Sequence, residues 1–181
     1  MAKARGAVLT AIPVFPRRLY SQSQMYVNTG AGIKEPRDLI GKRVGLRSFQ
    51  TTLSVLAKGD LQRDYGVPLD QVNWVTSADE PVPFTPPPGV RIERAPRDPS
   101  IETMLVEGAI HYYDDPNWSH LAWAVHILRE ERQAMGLAAW ANGLSRNRKN
   151  LERFIQYVLE QGLIDRRLEV EALFHETTHH T

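Results

Sequence analysis

Side chains able to hold an organic anion gather first at Arg47-Ser48-Phe49-Gln50-Thr51-Thr52, directly after the apolar run Val44-Gly45-Leu46. Arginine presents a planar fork of donors that matches a carboxylate. The hydroxyls of Ser48, Thr51 and Thr52 lie within reach of the same spot if a helix begins near Thr51. Such a helix start also turns unsatisfied backbone N–H groups toward an anion. The same Ser and Thr serve as ordinary helix caps, and the two roles can coexist. Arg17 and Arg18 follow Phe15-Pro16. A ligand with two carboxylates needs a second cation, because burying an unpaired charge is costly. Arg17 is the candidate, with an ordinary surface pair as the alternative. Ser21 and Ser23 follow and can bond hydroxyl groups.

The run His111-Tyr112-Tyr113-Asp114-Asp115 carries acid–base chemistry. His111 exchanges protons near neutral pH, and Asp114 can serve as an acid. His111, Asp114 and Asp115 also offer donors for a divalent cation, although no cofactor is predicted. The alternative is a polar turn at a strand end, since adjacent aspartates point different ways on an extended chain. The tail His175-Glu176-Thr177-Thr178-His179-His180 could chelate a metal only adventitiously, being placed at a terminus.

The elements that must position these groups follow from the pattern. Residues 8–14 are a short apolar run ended by proline and read as a buried strand. Met25-Tyr26-Val27 before Thr29-Gly30-Ala31-Gly32 reads as a strand and turn. Residues 35–41 have proline near the start and glycine at the end, the marks of a single helical turn. Val44 to Leu46 is a strand, and a helix capped by Ser48 or Thr51 runs on to Gly66. Val72 to Val75 is the next strand, so two βα units in series predict parallel pairing. Residues 80–99 are proline-rich loop with a short strand at Val90-Arg91-Ile92. Ser100 caps a helix that Gly108 ends, and residues 109–113 form another strand. Residues 118–135 are helical in pattern. In residues 146–161 the apolar Leu151, Phe154, Ile155, Val158 and Leu159 make one helical stripe. Arg146, Arg148, Lys149 and Arg153 form its solvated face. Residues 168–174 read as a short final helix, and 175–181 as a loose polar tail.

Composition removes several function classes. The 181 residues are 42% apolar and 24% charged, which is globular. A net charge of +1 supplies no field for nucleic acid or an anionic membrane. No apolar run approaches the roughly 20 residues that span a bilayer. Cysteine is absent, which excludes disulfides, zinc–thiolate sites and cysteine nucleophiles. The start of the chain lacks a convincing cleavage signal, so a cytoplasmic location is the default expectation.

Four stretches in order resemble the 4,5-dihydroxyphthalate decarboxylase family. They are Pro13-Val14-Phe15-Pro16-Arg17-Arg18, then Gly32-Ile33 through Asp38-Leu39-Ile40-Gly41-Lys42-Arg43-Val44-Gly45, then Gln62 to Gly66 with Tyr65. The fourth is Gly143-Leu144-Ser145-Arg146-Asn147-Arg148-Lys149-Asn150-Leu151-Glu152, continuing through Tyr157, Glu160-Gln161-Gly162-Leu163, Arg167, Val170-Glu171 and Leu173-Phe174. Asp-Leu-x-Gly-Lys-x-Val-Gly alone occurs across many binding proteins, and the order of the four blocks supplies the specificity. The resemblance spans about two thirds of the chain.

The resemblance implies an α/β fold of the type 2 periplasmic-binding-protein kind. Residues 1–113 would be a partial lobe with a parallel-rich sheet flanked by helices. Residues 114–174 would be a helical C-terminal segment and 175–181 a flexible tail. It implies a carboxy-lyase acting on a hydroxylated aromatic carboxylate, and the residues' own chemistry then puts Arg17, Arg47, Ser48, Thr51 and Thr52 on the substrate and His111 and Asp114 at the chemistry. Two departures stand out. Much of the family's first lobe has no counterpart before Val8, and the stretch between Tyr113 and Gly143 is short, with residues 118–132 unmatched. The chain is therefore expected to be a truncated and internally shortened relative. Such a chain has two alternative functions, a non-catalytic ABC-transporter-type solute-binding protein (then periplasmic) and an inactive relative. Lobe surface left bare would favour pairing with a second copy as a homodimer.

Overall fold

Neighbouring residues of a strand face opposite ways, so a strand buried at every position must be covered on both sides. Val44-Gly45-Leu46 and Trp74-Val75-Thr76 are strands of this kind. The computed structural model of the chain describes residues 1–15, 25–114 and 141–181, with only the backbone of 112–114. The helix expected at 118–135, and Arg17, Arg18, Ser21, Ser23 and Asp115, lie outside the described residues.

The described strands are β1 (Met25–Val27), β2 (Arg43–Leu46), β3 (Asn73–Thr76), β4 (Arg91–Arg94) and β5 (Tyr112–Asp114). They form one sheet in the order β1-β5-β2-β3-β4. β5, β2, β3 and β4 run parallel, and β1 closes one edge antiparallel to β5. The described α-helices are α1 (Thr52–Asp64), α2 (Ile101–Val106) and α3 (Leu144–Glu160). Val44, Leu46 and Trp74 pack with Val55 and Leu61 of α1 and Ile155, Tyr157 and Val158 of α3. Val75 packs on the opposite face with Ile101 and Met104 of α2 and with Ile110. The sheet is thus a middle layer, as the parallel βα reading requires.

Local chemistry explains the element ends. Glu35 and Asp38 form a reciprocal capping box around the 3-10 turn Pro36–Leu39. Thr51 caps α1, its side chain accepting from Ser54 N–H at 3.2 Å. Gly66, at φ +67°, turns the chain away after α1. Inside α1, Gly59 has a different role. A Cβ there would stand 2.1 Å from the Tyr157 ring, so glycine lets α1 and α3 touch. Tyr157 donates its hydroxyl to Asp60 at 3.0 Å and accepts from Arg153 Nε at 2.5 Å.

Two expectations are corrected. Residues 8–14 are not a buried strand: the segment makes one isolated bridge, Ala11 to Phe174, and Val8, Leu9, Ile12 and Val14 are exposed. Apolar content marks burial only when a partner strand lies alongside, and none does among the described residues. Residues 168–174 form no α-helix but only the 3-10 turn Glu171–Leu173. The turn buries none of its own residues, whereas the short α2 buries Ile101 and Met104, so no packing offsets the cost of nucleating a helix here. The tail folds back on α3: Thr181 accepts from Ser145 N–H at 2.7 Å through its carbonyl and from Leu144 N–H at 3.2 Å through its hydroxyl. Among the described residues no helix is long and apolar enough to cross a membrane.

Candidate functional site

The chain leaves β2, crosses one face through α1 to β3, and moves outward to β4. It then crosses the other face through α2 and returns to place β5 on the opposite side of β2. Strand order therefore reverses at β2 and β5. In open α/β sheets a crevice forms outside the carboxyl ends of the strands at such a reversal. The register pairs Leu46 with Asp114, so Arg47 and Asp114 end neighbouring strands at that edge.

Arg47 is exposed there and forms no ion pair among the described residues. Its carbonyl accepts from Ala78 N–H at 2.6 Å. The next three residues turn inward: Ser48 is 3%, Phe49 0% and Gln50 3% exposed. Phe49 stacks on Phe84 at 5.5 Å and meets Trp74 edge-on at 6.0 Å. Lys58, buried in α1, donates to the Phe49 carbonyl at 2.6 Å and lies over the same ring. The Gln50 amide donates to the Val82 carbonyl, while its Oε1 has no hydrogen-bond partner among the described residues.

Two backbone donors just ahead of α1 are already engaged. Phe49 N–H donates to one oxygen of Glu80 at 2.6 Å and Gln50 N–H to the other at 3.1 Å. An internal carboxylate thus occupies the turn that leads into the helix start. The Thr51 hydroxyl is engaged as the helix cap, and it also bonds the Ser54 hydroxyl at 2.7 Å. Of the expected group, Arg47 and Thr52 present their side chains to solvent, Thr51 is half-buried and Ser48 is buried. Glu80 carries no local mark of this contact in the sequence, because it opens a proline-rich stretch that reads only as loop. Its position four residues past the end of β3, the parallel neighbour of β2, is the signal that could have found it.

His111 lies at the other end of the strands. Its Nδ1 accepts from Arg43 N–H at 3.3 Å, and its own N–H donates to the Arg43 carbonyl at 2.9 Å. Asn28 N–H donates to the His111 carbonyl at 3.2 Å. The Arg43 guanidinium is held by the Ala109 carbonyl at 2.6 Å and Glu93 at 2.9 Å. At about 3.3 Å per strand residue, Arg43 and Arg47 are about 13 Å apart, and His111 and Asp114 about 10 Å. The structure does not bring His111 together with Arg47 or Asp114. Among the described residues no group of three or more metal-ligating side chains is gathered. In the tail, His175 Nδ1 bonds the Thr177 hydroxyl at 2.9 Å and His179 Nε2 lies 3.1 Å from the Glu171 carbonyl.

No family model matches the chain. It is similar to the 4,5-dihydroxyphthalate decarboxylase of Comamonas testosteroni, 24% identical over 248 aligned positions that take in 91% of this chain and 75% of that protein. It is also similar to the 4,5-dihydroxyphthalate decarboxylase of Pseudomonas putida, 32% identical over 106 positions, 55% of this chain and 41% of that protein. The resemblance read from the four sequence blocks therefore stands. The first alignment holds more positions than the chain's 181 residues, so segments of the relative have no counterpart here. That agrees with the expected shortening.

Proposed function

We propose that the chain is a 4,5-dihydroxyphthalate decarboxylase-like protein that takes a hydroxylated aromatic carboxylate at the C-terminal edge of β2 and β5. The observation that carries this reading is the register of Leu46 with Asp114, which sets a cation and an acid on adjacent strand ends at the point where strand order reverses. The names of the two relatives supply the substrate class. The architecture is in keeping with part of a type 2 periplasmic-binding-protein lobe.

In this reading Arg47 holds a ring carboxylate and Thr52 adds a hydroxyl. Arg17, which lies outside the described residues, is assigned the second carboxylate on its charge alone. Loss of carbon dioxide leaves an electron pair on the ring carbon. A proton delivered to that carbon by the Asp114 carboxyl accepts the pair as the carbon–carbon bond breaks, and solvent returns the proton to the carboxylate. Ring hydroxyls favour this course by donating electrons to the protonated ring. His111 takes no part in these steps, being at the other edge.

The test is to incubate the purified chain with 4,5-dihydroxyphthalate, follow carbon dioxide release, and measure binding by calorimetry. Turnover supports the proposal. Saturable binding without turnover transfers support to a solute-binding role, and silence in both assays to an inactive relative.

A further inference from the structure

We propose that Glu80 is a positioning residue: its carboxylate fills the turn at Phe49 and Gln50 from within and so sets the backbone that presents Arg47 and Thr52 to the ligand. This rests on the reading of the edge as a carboxylate site. Two successive N–H groups converging on one carboxylate form an anion-holding turn, and each Glu80 oxygen takes one of them. Charge-assisted bonds of this type are about twice as strong as neutral ones. The same two segments are joined along their length. Ser77 N–H donates to the Leu46 carbonyl at 3.0 Å, Ala78 N–H to the Arg47 carbonyl at 2.6 Å, and the Gln50 amide to Val82. The backbone of Arg47 is therefore fixed on both sides while its guanidinium stays outside the network.

The assignment of Glu80 matters as much as its strength. A carboxylate bonded to the backbone two and three residues past Arg47 could have paired with the guanidinium and competed with any ligand. Bound to neutral N–H groups instead, it leaves the arginine's charge for an anion from outside.

The experiment uses the full chain with Glu80→Ala and Glu80→Gln, with 4,5-dihydroxyphthalate as the probe and circular dichroism as the check on folding. Glu80→Ala should weaken binding by about tenfold or more, the scale of a lost charged hydrogen-bond pair. Added sodium acetate should recover part of that affinity and raise the melting temperature of Glu80→Ala but not of the unaltered chain, with sodium chloride at equal ionic strength doing neither. Glu80→Gln, which keeps one acceptor oxygen, should fall between. Unchanged or tighter binding by a folded Glu80→Ala overturns the proposal, tighter binding marking Glu80 as a competitor. If Glu80→Ala does not fold, unchanged binding by Glu80→Gln overturns it. If the unaltered chain does not bind the probe, the functional reading falls and positioning falls with it. An acetate effect on melting alone would then show only that the turn holds a carboxylate.

Discussion

Arg47 is exposed and outside every ion pair among the described residues, so its removal should leave the fold intact. Arg47→Ala is expected to weaken 4,5-dihydroxyphthalate binding by more than about 1 kcal/mol, roughly fivefold, with an unchanged melting temperature. Calorimetry and thermal melting on one preparation check both halves. Equal affinity would remove Arg47 from the site. His111 should behave in the opposite way. It accepts from the Arg43 N–H between β2 and β5, so His111→Ala should cost about 1 kcal/mol of stability and leave binding unaltered. A binding loss without a stability loss would put His111 back at the chemistry. The sequence makes Arg47 legible because an arginine after a short apolar run marks a strand exit. Glu80 is not legible, because its meaning depends on β3 lying beside β2, a fact of pairing rather than of local pattern.

At the scale of elements, α1 and α3 meet through the close approach at Gly59. Gly59→Ala places a methyl group inside the Tyr157 ring, which is fully buried and held by Asp60 and Arg153. Overpacking of this kind should cost about 2–3 kcal/mol in chemical unfolding. In a Tyr157→Ala background the space is open, and the same change should stabilise by up to about 1 kcal/mol, because alanine is the better helix former. A cost equal in both backgrounds would show that the ring is not the obstacle. Thr51→Ala should remove the cap of α1 and cost about 1 kcal/mol. The amphipathic stripe of α3 is readable because every apolar member packs into one core cluster. Residues 8–14 mislead for the same reason inverted, since their apolar character has no strand beside it. The three-layer arrangement is readable from two βα units in series, but the return of β5 past β2 is not, because nothing local in residues 109–113 says which strand they will join.

At the scale of the molecule, the elements around the sheet are tied by carboxylates whose proton affinity folding has lowered. Backbone N–H groups of Lys34 and Glu35 hold the Asp38 carboxyl below its ordinary value and fix the turn before β2. Arg63 holds Glu160 down and joins the end of α1 to the end of α3. Arg148 holds Glu171 down and joins α3 to the C-terminal turn. A carboxyl bound more tightly as an anion in the folded chain contributes stability that is complete above its unfolded value of about 4. That stability is lost as pH falls through the lower, folded values. The melting temperature should therefore be nearly flat from neutrality down to about pH 5 and fall below it, as these three groups take up protons. Near neutrality the exposed pairs are each worth little, so Arg63→Gln should shift melting only slightly there. Asp38→Asn is the sharper probe, since its partners are backbone donors rather than a mobile side chain. It should lower the neutral plateau and make the acid limb shallower, because one of the protons taken up on unfolding is gone. A melting curve whose acid slope is identical in Asp38→Asn and the unaltered chain would show that the Asp38 turn does not carry the acid sensitivity of the fold.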